Sequence, residues 1–232
     1  MENKTKDRPV QSADRRLFLR YAGVATGAIL IQSCVDKDSM TTPLPGTGAT
    51  TVDLGTGDVG ILNYAYALEQ LEAAFYTQVI ATPYSGITDV ERTLLTEIRD
   101  HEIIHRDFFK AALGTSAIAG LEVNFSAINF ANRASVLNAA KTFEDLGVAA
   151  YNGAGKLIKD VNYLLLAGKI VSVEARHAAA IRSLLSPKTA SFAGDDIVTP
   201  ANGLDPAMTP SAVLTAAQPF VKTTITAANL PK

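Results

Sequence analysis

Four stretches of the chain repeat apolar residues at spacings of three and four, the period of a helix with one buried face. The first starts at Asp58, read as its N-cap, and runs to about Ile80. It aligns Leu62, Tyr66, Glu69, Ala73, Tyr76 and Ile80, with Glu72 one step round beside Leu68, Phe75 and Val79. The second starts at Thr88 or Asp89 and aligns Leu95, Ile98, Glu102, His105, Phe109 and Leu113. Gly114 is a natural stop after it. The third starts near Arg133, aligns Leu137, Ala140, Glu144, Val148 and Tyr151, and fades around Leu157, where Gly153 and Gly155 weaken it. The fourth starts near Asp160, aligns Ile170, Val173, Glu174, His177, Ile181 and Leu184, and stops at Pro187. Pro83 to Gly86 make a turn, whereas 115–132 form a longer connection without periodicity. The pattern predicts an all-α antiparallel four-helix bundle over 58–187, with a crossover between the second and third helices.

The flanks have a different texture. Residues 35–57 hold Pro43, Pro45 and several glycines and read as a flexible tether, so 34–57 link the N-terminal segment to the bundle. The glycines of Gly55–Thr56–Gly57–Asp58–Val59–Gly60 spell a dinucleotide fingerprint, but no buried strand precedes them and the domain that follows is helical. Residues 188–232 contain Pro200, Pro206, Pro210, Pro219 and Pro231, which exclude a long helix. This irregular C-terminal extension leaves room for short strands or one short helix near Ser211–Ala217.

At the N-terminus, Arg15–Arg16 precede an uncharged stretch from Tyr21 to Ser33 and then Cys34. The stretch is too short and too mildly apolar for a span of about 20 residues. The order resembles a twin-arginine lipoprotein signal peptide over 1–33, with Cys34 as the lipidated residue. A cell-envelope protein of the periplasm, held to a membrane through that lipid, is the expected localisation. Cys34 is the one cysteine among 232 residues, so no disulfide forms within the chain. A net charge of −2 and the absence of tryptophan give no electrostatic or stacking reason to expect nucleic acid.

The chemistry lies on the apolar stripes. Glu-x-x-His occurs as Glu102–Ile103–Ile104–His105 and as Glu174–Ala175–Arg176–His177, each time interrupting a buried face. The preceding helix of each pair offers carboxylates of its own: Glu69 and Glu72 in one, Glu144 in the other. A buried carboxylate without a partner costs several kcal/mol, on the order of a small domain's net stability. Four converging from four helices need a common counter-charge, and two divalent cations supply it, with two neutral imidazoles completing the shell.

Together these residues resemble the ferritin-like superfamily of carboxylate-bridged dimetal proteins. The phrases Tyr66–Tyr76, Phe143–Tyr151 and Val173–Arg182 are similar to the ferritin-like family that includes plant desiccation-related proteins. The resemblance implies Glu69, Glu102, His105, Glu144, Glu174 and His177 as metal ligands, with Glu69 preferred to Glu72 because Tyr76 follows it by seven residues. It implies two iron ions, or manganese in their place, and a small oxidant such as dioxygen or peroxide as partner. Ferroxidase, peroxidase and catalase activities all fit such a set. An envelope stress or desiccation module with a structural metal is the alternative. A tether and a long tail disfavour a storage cage and leave room for a homodimer. His101–Glu102–Ile103–Ile104–His105 also spells the zinc peptidase motif, which would make Glu102 a general base. That assignment leaves Glu144, Glu174 and His177 unexplained, and His101 then becomes a surface residue or a neighbour of the cluster.

Overall fold

The computed structural model describes residues 50–232. The expected signal peptide, Cys34 and most of the tether lie outside them. Four long helices dominate: α1 (Gly57–Ala81), α2 (Asp89–Leu113), α3 (Arg133–Gly155) and α4 (Val161–Leu185). Helices α1 and α2 pair as one antiparallel hairpin, α3 and α4 as another, and the stretch between α2 and α3 crosses from one hairpin to the other. This is the antiparallel four-helix bundle with one crossover that the apolar stripes predicted, and the arrangement that the ferritin-like resemblance implied.

Local sequence sets the helix ends. The Thr88 hydroxyl accepts from the Glu91 backbone at 3.2 Å, and the Glu91 carboxylate accepts from the Thr88 backbone at 3.0 Å, a capping box that starts α2. Gly114 ends α2 at φ +54°, where a Cβ would be strained. Asn132 caps α3 and Asp160 caps α4 through their side chains. Asp58 is not the cap of α1; Thr56 holds that position. The Asp58 carboxylate instead accepts from the backbone N–H groups of Lys159 and Asp160, at 2.9 and 2.7 Å, and so ties the start of α1 to the start of α4.

Helix α1 is buried nearly all round, from Gly60 to Ala73 without interruption. One face meets the bundle interior. The crossover and the C-terminal extension cover the other. Asn63 bonds the backbone of Leu54, Ser116 and Ile118, and Gln70 accepts from Leu121 N–H at 2.9 Å. These two amides satisfy loop backbone that would otherwise lie unpaired against an apolar helix.

The tether reading needs correction at its end. Thr51–Asp53 form strand β1, which pairs in parallel with β2 (Thr224–Thr226). Residues 50–56 therefore lie against the domain, because a partner strand some 170 positions later satisfies their backbone groups. The extension also carries α5 (Pro210–Ala217), in the place the sequence left open for a short helix. Its approach to α3 explains Gly153. Met208 N–H bonds Ala149 C=O at 2.9 Å, and a Cβ on Gly153 would stand 1.7 Å from the Met208 carbonyl oxygen. Buried Arg182 fastens the same extension by donating to Asp145 of α3 and Asp196 of the tail. No helix among the described residues is long and apolar enough to cross a membrane.

Candidate metal centre

The apolar stripes bring Glu69 of α1, Glu102 and His105 of α2, Glu144 of α3, and Glu174 and His177 of α4 to the middle of the bundle. All four carboxylates are 0% exposed. They form two overlapping groups: Glu69, Glu102, His105 and Glu174 in one, Glu102, Glu144, Glu174 and His177 in the other. Glu102 and Glu174 belong to both, one from each helical hairpin.

Atom by atom, the sharing is symmetric. His105 Nδ1 lies 2.9 Å from Glu174 Oε1, 3.4 Å from Glu69 Oε2 and 3.7 Å from Glu102 Oε2. His177 Nδ1 lies 2.8 Å from Glu102 Oε1, 3.4 Å from Glu144 Oε2 and 3.6 Å from Glu174 Oε2. Each shared carboxylate thus gives one oxygen to each group. These eight atoms are buried, and among the described residues none has a partner in hydrogen-bond geometry. Within each group the four ligand atoms all lie within 4.8 Å of one another. Metal–ligand bonds of about 2.1 Å set at right angles place neighbouring donors about 3 Å apart. The observed separations of 2.8–3.7 Å have that scale. The donor set fits two cations with oxygen and nitrogen ligands.

The remaining oxygens of the two outer carboxylates are satisfied crosswise. Tyr76, seven residues after Glu69, donates to Glu144 Oε1 at 2.5 Å. Tyr151, seven residues after Glu144, donates to Glu69 Oε1. Each hairpin therefore orients the outer ligand of the other. Tyr66, the third tyrosine of the stripes, packs in an apolar cluster with Leu62, Phe109 and Tyr151.

Without cations the cluster must hold protons. Burial pushes Glu102 well above the ordinary carboxylate range, reinforced by Glu174, although both imidazoles pull it down. Burial likewise raises Glu144 to about 7, against the pull of His177. Burial would neutralise His177, but Glu102, Glu144 and Glu174 outweigh it and raise the imidazole to about 12. Glu174 also feels burial, yet contacts with both imidazoles hold it at about 2. Such protons are what incoming cations displace.

Glu72 joins neither group. It is buried beside the cluster, where burial and then Glu102, Glu174, Glu144 and Glu69 raise it well above the usual range. Gly147 leaves it space: a Cβ there would lie 3.1 Å from Glu72 Oε1. Of the two α1 glutamates, Glu69 shares a group with Glu102, His105 and Glu174, and Glu72 does not. His101 also stands outside both groups, its ring against His177, with Nδ1 2.9 Å from Nε2 of that residue. Among the described residues His101 and His105 share no group of candidate ligands, so the geometry gives the zinc peptidase motif no support. Sequence reasoning missed the Tyr76–Glu144 and Tyr151–Glu69 bonds, although the repeated seven-residue spacing between glutamate and tyrosine carried the signal.

No curated protein matches the chain significantly. A family model described as a ferritin-like domain matches residues 57–187, which covers all four long helices and all six residues of the cluster. By that match and by the bundle it describes, the chain belongs to the ferritin-like domain family.

Proposed function

We propose that Glu69, Glu102, His105, Glu144, Glu174 and His177 would hold two iron ions, with Glu102 and Glu174 common to both donor groups, and that the protein is an oxidoreductase acting on dioxygen, peroxide or oxidisable metal. The observation that carries this reading is the set of eight buried donor atoms without hydrogen-bond partners, arranged as two centres with two shared carboxylates. Bound iron supplies the electrons for reducing such an oxidant. Manganese suits the same oxygen and nitrogen donors.

The protein's own groups have separable tasks. Glu102 and Glu174 fix the spacing of the two centres. Glu69 and Glu144 close the outer sides, each held by a tyrosine hydroxyl from the opposite hairpin. The aromatic and aliphatic side chains around them exclude bulk water and strengthen each electrostatic contact.

Oxygen and peroxide consumption by iron-loaded protein tests the reading. Wild type turns over either oxidant, and Glu102→Gln abolishes it. Two bound irons without any turnover would favour the alternative, a stress-protective module with a structural metal. The sequence also supports export by the twin-arginine route and anchoring through Cys34. Cys34→Ala then moves the protein from the membrane fraction to the soluble periplasm, and unchanged fractionation would refute the anchor.

A further inference from the structure

The first histidine of His101–Glu102–Ile103–Ile104–His105 contributes no atom to the cluster, and binding of two cations leaves it without a task. Its placement is specific all the same. His101 Nδ1 lies 2.9 Å from His177 Nε2. The two rings are within 10° of parallel, with centroids 5.1 Å apart. Face-to-face stacking would bring the centroids closer. Two imidazoles joined edge to edge through a nitrogen–nitrogen hydrogen bond give this separation, with the rings close to coplanar.

We propose that His101 is a positioning residue for the His177-side cation, acting by accepting the Nε2–H of His177; this rests on the dimetal reading above. His177 turns Nδ1 toward Glu102, Glu144 and Glu174. For Nδ1 to offer its lone pair to a cation, the ring proton must sit on Nε2. His101 Nδ1 is the acceptor placed to hold that proton and the plane of the ring. Partners of this kind fix the orientation of a ligating imidazole and raise its basicity.

The other half of the centre lacks the device. The chain has three histidines, so no fourth imidazole stands behind His105. The residue before Glu174, in the place His101 holds before Glu102, is Val173. The His105 side chain is also more exposed than that of His177, 12% against 5%. The two cation positions are therefore unequal, and the His177 side is the tighter one.

The test compares wild type with His101→Leu and His101→Asn. Leucine removes the acceptor from an exposed helical position it tolerates well, whereas the asparagine oxygen can stand near the original Nδ1. Zinc, as a diamagnetic probe cation, is titrated into each protein, and the histidine ring nitrogens are followed by nitrogen-15 NMR. Wild type is expected to fill two sites in two steps and to show a protected Nε2–H on His177. His101→Leu is expected to weaken the His177-side step roughly ten- to a hundredfold, spare the other step, and lose protection of that proton. His101→Asn restores most of both. A merely structural role would lower the melting temperature without changing the ring signal. Unchanged affinities and an unchanged Nε2–H in His101→Leu would overturn the inference while leaving the two-cation centre standing. Failure of wild type to take up any cation would overturn both.

Discussion

The two halves of the cluster are built on one plan and differ in one support. Each hairpin supplies an outer glutamate, a shared glutamate, a histidine three residues after the shared glutamate, and a tyrosine seven residues after the outer one. Glu69, Tyr76, Glu102 and His105 make one set, Glu144, Tyr151, Glu174 and His177 the other. The tyrosines cross over, so neither set orients its own outer ligand. The asymmetry is His101, which backs His177; among the described residues no imidazole stands in that place behind His105. Symmetry in the donor atoms gives two centres. By the role proposed for His101, asymmetry in what supports them would give the two centres different affinities.

The largest effect is expected where the halves are joined. Replacing both shared carboxylates, in Glu102→Gln with Glu174→Gln, removes both shared negative charges and turns one of the two donor oxygens of each residue into an amide nitrogen, which offers a cation no lone pair. It should weaken both cations by more than about 100-fold, the upper end of what losing a supporting residue alone costs. Elemental analysis after desalting checks this, and two retained metals would contradict it. Next come the outer ligands. Glu69→Gln and Glu144→Gln should each lower the stoichiometry from two metals to one, with the survivor on the opposite side. Equal loss of both metals from either variant would show that the halves are not separable.

Acidity should act on both halves together. His177 keeps its proton up to about 12 in the metal-free cluster and Glu144 keeps its own up to about 7. Both must lose it to become ligands. Cation binding therefore releases protons, and affinity should rise between pH 6 and pH 8. Calorimetry in two buffers of different ionisation enthalpy measures the release. A pH-independent affinity would contradict the protonation scheme. The smallest effects belong to the crossing tyrosines. Tyr76→Phe and Tyr151→Phe each delete one hydrogen bond to a buried carboxylate, at about 1–3 kcal/mol of stability apiece. Chemical denaturation of the metal-free variants measures that cost.

What the sequence made legible follows from period. Glu102, His105, Glu174 and His177 could be placed in the core because a helix returns to the same face every three or four residues, and their apolar neighbours mark that face. The ends of α2 were readable locally, with Thr88 one of two candidate starts and Gly114 the stop, whereas the start of α1 was misplaced onto Asp58. Contacts between distant segments were not readable. β1 and β2 are three residues each and pair across most of the chain, too short for a periodic signal. Gly153 looked like a helix breaker, but its lack of a side chain serves the passage of Met208. The His101–His177 bond joins residues 76 apart, and the local motif that contains His101 suggested zinc instead. Near-complete burial of α1 was also hidden, since the crossover and extension that cover its outer side carry no helical period themselves.

The central claim is that Glu102 and Glu174 are shared by two cations. Anomalous scattering from crystals of the manganese-loaded protein tests it most directly. The account predicts two peaks within one bundle, about 3.5–4 Å apart as in two-metal sites generally, one beside Glu69 and His105, the other beside Glu144 and His177. A single peak, or peaks away from Glu102 and Glu174, would contradict it.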